Sequence, residues 1–215
     1  VVFYKAGRTS EGRSATAGHT ASVAGDYAVC EAALEQAGAF VASDFGEFTD
    51  YLRVTLPLRD KLAGGNRLAA MSNAGYEAVG MADSIRWRGA ELVLPPFNAR
   101  VEEVLAKTLR DNRLDGLVDV KNPFDVTPMT GDTALSDMVV EILHDPGIDA
   151  LIVGIVPLTP ALQTLPSADN HEESIDSTTS IARLLPKAAT ASEKPVIAVV
   201  DAGEFRVHAQ PPHPD

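Results

Sequence analysis

Apolar and polar positions divide the chain into short strands and amphipathic helices. VVFYKAG (1–7) reads as a strand that stops at Gly7, and residues 8–20 read as a polar, Gly-rich loop. Val23, Tyr27, Cys30 and Leu34 recur every three or four residues ahead of Gly38, which predicts a helix over 21–38 with a glycine stop. AFVAS (39–43) is a short strand. Asp44 followed by Glu47 has the form of a capping box and opens a helix that runs out near Leu56 and Pro57. LAGG (62–65) reads as a linker.

A more regular unit begins at Asn66. NRLAAMSN (66–73) is a strand, and AGYEAVGMADSIRWRG (74–89) is a helix closed by Gly89. AELVLPP (90–96) reads as a strand, Asn98 caps a helix over 99–112, and LDGLVDVKNPFDVTP (114–128) is a strand running into a loop. Residues 132–147 form a helix ended by Pro-Gly. Residues 148–157 are almost wholly apolar, as a strand covered on both faces should be. A helix over 174–188 and the strand PVIAVVDAG (195–203) complete the series. Strands alternating with helices predict a parallel sheet covered on both faces. The expected fold is therefore α/β, a three-layer flavodoxin-like parallel sheet over 66–203. It is preceded in 1–62 by the C-terminal part of a second, similar subdomain. Residues 204–215 carry Pro and His without periodicity and read as a disordered or non-native tail.

Of the 215 residues 45% are apolar, enough for an ordinary buried core. The net charge of −12 argues against a nucleic-acid partner and against an anionic membrane surface. It does not exclude an anionic substrate, because a local backbone site can bind phosphate on an acidic protein. No apolar run approaches the ~18 residues of a membrane span. The single cysteine, Cys30, leaves no intrachain disulfide and no cysteine-based metal cluster, and it reads as a small buried residue on a helix face. A cytoplasmic location is expected. The chain opens on Val1, and its first residues already read as a strand, so a piece of a longer protein is expected. A truncated first subdomain would leave an apolar face and an unpaired strand edge, which favours a homo-oligomer or a partner chain.

In open α/β sheets ligands bind at the carboxyl ends of the strands. Four polar stretches fall there: the segment holding His19, Ser72-Asn73-Ala74-Gly75, Asn122-Pro123-Phe124-Asp125, and Pro157-Leu158-Thr159-Pro160. SNAGYEAVG is a strand-to-helix turn with small residues where the free N–H groups lie, so a phosphate would be stabilised there. An ordinary turn with Asn as cap fits the same residues. His19 is flanked by Ala15, Thr16, Ala17, Gly18, Thr20, Ala21 and Ser22, so something can approach it closely. Neutral imidazole is a good nucleophile toward phosphate near neutral pH. A loop histidine bonded to backbone fits equally. His208 and His213 lack the spacing of a metal site, and no metal site is expected.

Taken in order, Lys5-Ala6-Gly7-Arg8-Thr9, Gly18-His19-Thr20, Ser72-Asn73-Ala74-Gly75 and Asn122-Pro123-Phe124-Asp125-Val126-Thr127 form a specific set. The set resembles the nucleoside-diphosphate-forming acyl-CoA synthetases, the ADP-forming acetate–CoA ligase family related to succinyl-CoA synthetase. The resemblance runs from residue 1 to about Gly203. It implies the reaction acyl-CoA + ADP + phosphate ⇌ acid + CoA + ATP, with His19 as the histidine phosphorylated during turnover. It makes 1–62 the C-terminal part of the first CoA-ligase subdomain and 66–203 the second. It further implies that Asn73, Ala74 and Gly75 help hold the phosphoryl group, with Arg8, Gly18 and Thr20 as loop or phosphate contacts. Asp125 is assigned to shaping its loop rather than to acting as a base.

Parts of the family's pattern are not recognisable: the CoA-binding Rossmann subdomain, the start of the first ligase subdomain, and the ATP-grasp unit for nucleotide and magnesium. There is no G-x-G-x-x-G stretch and no P-loop, and Tyr76 stands where the family often has Gly. The chain is therefore expected to bind no cofactor itself and not to turn over alone. CoA, ATP or ADP and magnesium would belong to domains supplied in cis or by a partner subunit. Two other classes remain open: a non-catalytic regulatory or interaction module with a vestigial His19, and a flavodoxin-like cofactor binder, although no flavin-stacking loop is evident.

Overall fold

The computed structural model describes residues 1–20, 25–87 and 90–201. They fall into two compact units divided between Asp60 and Lys61. The tail 204–215 lies outside the described residues.

In the first unit β1 (Val2–Tyr4) is followed by α1 (Ser10–Thr20), α2 (Tyr27–Gln36), β2 (Phe40–Ala42) and α3 (Phe45–Thr55). The strands pair in parallel, with Phe3 opposite Val41. The stretch 8–20, read from the sequence as a loop, is helical from Ser10 onward. Thr9 starts that helix: its Oγ1 accepts the Gly12 N–H at 3.0 Å, and its carbonyl accepts the Arg13 N–H at 2.9 Å. Alanines 15 and 17 lack bulk but are the best helix formers, and here they outweigh Gly12 and Gly18. Asp26 caps α2 by accepting the Val29 N–H, and residues 21–24 of the helix expected over 21–38 lie outside the described residues. At the start of α3, Asp44 accepts the Glu47 N–H at 2.9 Å, and Glu47 reaches back to the Ser43 N–H at 2.6 Å. The return bond thus lands one residue before the cap. The rings of Tyr4, Phe45 and Phe48 pack together, as do those of Phe40 and Tyr51.

The second unit runs β3 (Leu68–Ser72), α4 (Gly75–Asp83), β4 (Arg86–Trp87), β5 (Ala90–Glu91), α5 (Ala99–Asp111), β6 (Phe124–Asp125), α6 (Asp132–Leu143), β7 (Ala150–Ile155), α7 (Ile181–Ala191) and β8 (Val196–Val200). Its main sheet is parallel, in the order β6-β3-β7-β8. Ala69, Met71, Leu151, Val153 and Ile155 point to one face and pack with the buried side chains of α5, α6 and α7. Gly154, of opposite parity, meets Glu77 and Met81 of α4 on the other face. Helices thus cover both faces, giving the three-layer flavodoxin-like α/β arrangement expected from the sequence. Asn98 caps α5 as read, accepting the Val101 N–H at 3.0 Å.

Two expected strands shrink. Of 90–96, Ala90–Glu91 pairs antiparallel with Arg86–Trp87, and Val93 makes a single parallel bridge to Arg67. Pro95 and Pro96 have no N–H with which to continue the ladder. Of 114–128 only Phe124 and Asp125 are strand. The helix expected over 174–188 starts at Ile181, because Ser180 caps it and the buried carboxylate of Asp132 accepts the Ile181 N–H at 2.6 Å. The helix expected over 74–89 ends at Asp83.

At the amino end of the sheet Arg67 grips Asp149 twice, Nη2 to Oδ1 at 2.7 Å and Nε to Oδ2 at 2.8 Å, and its N–H donates to the same carboxylate. Asp149 is 5% exposed. The Arg67 guanidinium beside it, aided by the Arg67 N–H, holds its carboxyl down at about 2, against the burial that would raise it. An unfolded aspartate titrates near 3.9. This stabilisation is therefore complete above pH ~4 and is lost as the pH falls toward 2. Acid-unfolding curves should show that loss in the wild type and a flatter response over the same window in Asp149→Asn.

Candidate functional site

The polar residues gather where β3 and β7 end. Ser72, Asn73 and the strand behind them are fully buried, so each polar atom there needs a partner. Asn73 Oδ1 accepts the Val156 N–H at 2.8 Å, while Nδ2 donates to the Val156 carbonyl at 2.9 Å and to Thr159 Oγ1. The amide thus pairs with the chain leaving β7 as another peptide group would. Ser72 Oγ accepts the Ala74 N–H at 3.0 Å and donates to Glu77 Oε2 at 2.6 Å. That carboxylate lies directly over Gly154, where a Cβ has no room. The glycine inside the apolar run of β7 is there for Glu77.

Helix α4 starts from Ala74, which provides no side-chain cap. Beside its first residue lies Asp125: a Cβ on Gly75 would stand 2.7 Å from Asp125 Oδ2. The other oxygen, Oδ1, accepts the Thr127 N–H at 2.9 Å. Thr127 is held at φ +64°, a left-handed conformation that a β-branched residue adopts only under constraint. Asp125 thus shapes its loop. Asn122, three residues earlier, fills the gap between Val93 and β6 along the edge of β3. Its Oδ1 accepts the Ala70 N–H at 3.0 Å, and its Nδ2 donates to the carbonyls of Leu68 and Pro95 at 2.8 and 2.9 Å. One side chain replaces a strand residue.

Tyr76, on the second residue of α4, donates its hydroxyl to Asp201 Oδ2 at 2.6 Å. Asp201 directly follows β8, and its N–H donates to the Ile155 carbonyl. The hydrogen bond to this carboxylate holds the Tyr76 phenol up at about 12. The ring therefore stretches along the carboxyl end of the sheet toward β8.

The residues picked out in the sequence form one set in each unit. Asn73, Ala74 and Gly75 sit together at the β3–α4 turn, but the Asn73 amide is committed to Val156 and Thr159. Arg8 is exposed ahead of α1, and Gly18 is exposed in its last turn. His19 and Thr20 are the last two residues of that helix, rather than part of a loop, and their side chains lie outside the described residues. The roles of Asn122, Glu77 and Asp201 were not read from the sequence. Gly154 within an apolar strand was the one local signal for Glu77. Asn122 and Asp201 find partners 27 to 125 residues away, which no local pattern shows. Among the described residues no group of three or more His, Cys, Asp or Glu could hold a metal ion, and no helix is long and apolar enough to cross a membrane.

A parallel sheet covered by helices on both faces, with polar turns at its carboxyl end, defines a flavodoxin-like α/β unit. Residues 1–55 match the succinyl-CoA ligase like flavodoxin domain. The chain is similar to the alpha subunit of ADP-forming acetate–CoA ligase II of Pyrococcus furiosus, 35% identical over 158 residues, which span 73% of this chain and 32% of that subunit. It is also similar to ADP-forming acetate–CoA ligase I of Archaeoglobus fulgidus, 37% identical over 92 residues, 43% of this chain and 13% of that enzyme. Its structure resembles the dinucleotide-forming acetyl-coenzyme A synthetase 1 of Ca. Korarchaeum cryptofilum, solved in complex with phosphate and ADP. The TM-score is 0.66 at 27% identity, over 93% of this chain and 38% of that one. These likenesses relate the chain to the nucleoside-diphosphate-forming acyl-CoA synthetases, with the succinyl-CoA ligase like flavodoxin domain over residues 1–55. The chain spans about a third of the length of the curated P. furiosus subunits it matches.

Two outcomes follow from this geometry. Asn122→Ala leaves a buried N–H and two carbonyls unpaired and should destabilise the second unit by about 2–4 kcal/mol in denaturant unfolding. Asp201→Ala removes the acceptor of the Tyr76 hydroxyl, and the ring's NMR titration should fall from about 12 to the ordinary phenol value near 10.

Proposed function

We propose that the chain is a portion of an acyl-CoA synthetase that interconverts acyl-CoA, ADP and phosphate with a free acid, CoA and ATP, and that His19 is its phosphoryl relay. One observation carries this reading. The Lys5–Thr9 and Gly18–Thr20 segments fall inside the residues matched by the succinyl-CoA ligase like flavodoxin domain. The neighbour solved with phosphate and ADP supports it.

In this reading the neutral imidazole of His19 attacks the phosphorus of an acyl phosphate. The P–O bond to the acyl oxygen breaks, and the acid leaves as carboxylate. The phosphoryl group then passes from nitrogen to the terminal oxygen of ADP. Positioning and oriented dipoles supply most of the rate in such transfers. Gly18, with open space around the position of a Cβ, leaves room beside His19 in the sequence. Arg8 and Thr20 are assigned to contacts with the phosphate or its loop. In the second unit the α4 start, with Asn73 locking the turn, Ala74 opening the helix with its N–H held by Ser72 Oγ, and Gly75 presenting backbone, offers the positive end of a helix to a phosphate.

CoA, nucleotide and magnesium are assigned to CoA-binding and ATP-grasp domains, in cis or in a partner subunit. The described residues offer no metal-ligand set of their own. The same reading places the enzyme in the cytoplasm. The complete protein, incubated with γ-labelled ATP and magnesium, should take up acid-labile, base-stable phosphate that His19→Ala abolishes. A folded, complete protein that takes up no label at His19 would instead be a regulatory or interaction module.

A further inference from the structure

Strand β8 is the open edge of the main sheet: β7 pairs it on one side, and no described strand lies on the other. The bonds to β7 use alternate residues. The Leu151 N–H donates to the Pro195 carbonyl and the Asp201 N–H to the Ile155 carbonyl, so the odd-numbered residues of β8 face β7. The N–H and C=O groups of Val196, Ala198 and Val200 point outward and have no partner among the described residues. Nothing in VIAVV guards this edge: it holds no charge and no proline, and Val200 is 60% exposed. The side chains of the same three residues line an apolar groove of about 680 Å³. Ile155, Leu158, Leu165 and Leu185 form its other walls. A strand laid along this edge would meet unpaired backbone on one side and apolar surface on one face.

The sequence after β8 fits both demands. No period spans 204–215, but its first six residues, Glu204-Phe205-Arg206-Val207-His208-Ala209, alternate polar and apolar as a strand with one apolar face does. The Asp201 N–H is already given to Ile155, so the residue able to close a hairpin is Val200. Asp201-Ala202-Gly203-Glu204 then forms a four-residue loop that closes on Phe205. In that register Val200 pairs with Phe205, Ala198 with Val207 and Val196 with Ala209. Opposite residues share a face, so Phe205, Val207 and Ala209 turn into the groove, and Arg206 and His208 take the other face. Pro211 and Pro212 have no N–H and stop the ladder where β8 itself begins, after Pro195.

We propose that residues 205–209, which lie outside the described residues, pair antiparallel with β8 and cover the apolar groove with Phe205 and Val207. The segment becomes a fifth strand of the sheet and closes its edge against other chains.

Amide exchange and NMR on the whole chain test this. The N–H groups of Ala198, Val200 and Val207 should exchange slowly. Close Hα–Hα contacts should join Val199 to Arg206 and Ile197 to His208, the non-hydrogen-bonded pairs of this register. Val207→Pro removes the central donor and should speed exchange at Ala198 and Val200 about ten-fold or more. Ile197 and Val199, bonded to β7, should keep their protection, which shows that the variant is folded. Phe205→Asp leaves the backbone able to pair but puts a charge in the groove, and it should act in the same direction. Fast exchange at Ala198 and Val200 in the wild type overturns the proposal. Protection there that neither variant reduces also overturns it, and if that protection is lost on dilution the edge pairs with a second copy instead.

Discussion

The pairing of β3 with β7 is the constraint on which the second unit depends. Five consecutive residues, Leu68 to Ser72, run in register with Ala150 to Gly154, all of β3 is buried, and helices cover both faces. A parallel ladder of this kind has no hairpin to hold it and relies on the helices packed against it. Alternation then sends Met71 and Val153 to the α5–α7 face and Ser72 and Gly154 to the α4 face. A slip of one residue would exchange them, placing a hydroxyl and a glycine in the apolar core. Everything polar at the carboxyl end is hung from this register.

Buried amides complete what the backbone leaves open. Asn122 pairs with β3 where no strand lies beside it, and Asn73 pairs with the chain leaving β7. Both present a donor and an acceptor in the geometry of a peptide group, so they satisfy ladder positions at a bend where regular pairing cannot continue. Asp132 does similar work at the start of α6, accepting the N–H groups of Gln163 and Ile181 and so fixing where α7 begins. These polar groups are unforgiving. Each is stabilising only while all its bonds are made, because an unpaired buried group costs more than a paired one contributes.

The two ends of the sheet use charge differently. At the amino end Asp149 is matched by a two-point guanidinium contact and a backbone N–H, an arrangement complete in itself. At the carboxyl end Glu77 accepts from the Ser72 hydroxyl and Asp125 from the Thr127 N–H, both neutral donors. The chain's net charge of −12 sharpens this contrast, since the field of the whole opposes further negative charge at the carboxyl end.

The order of strands and helices, the α/β class, the caps of α3 and α5 and the polar turns at strand ends could be read from the sequence. Each depends on residues within one or two helical turns of each other. The family resemblance was legible for a related reason: its short segments keep their order along the chain. Two misreadings came from local composition. Small residues around His19 suggested a loop, although alanines form helices well, and AELVLPP looked like a strand although its prolines cannot complete a ladder. Tertiary structure alone decided the rest. That Asn122 stands in for a strand, that Gly154 makes room for Glu77, that Gly75 makes room for Asp125 and that Tyr76 reaches Asp201 all depend on strands brought side by side. A sequence records which donors and acceptors exist, but burial in the folded sheet selects which of them must meet, because only there does an unmet polar group carry its full cost.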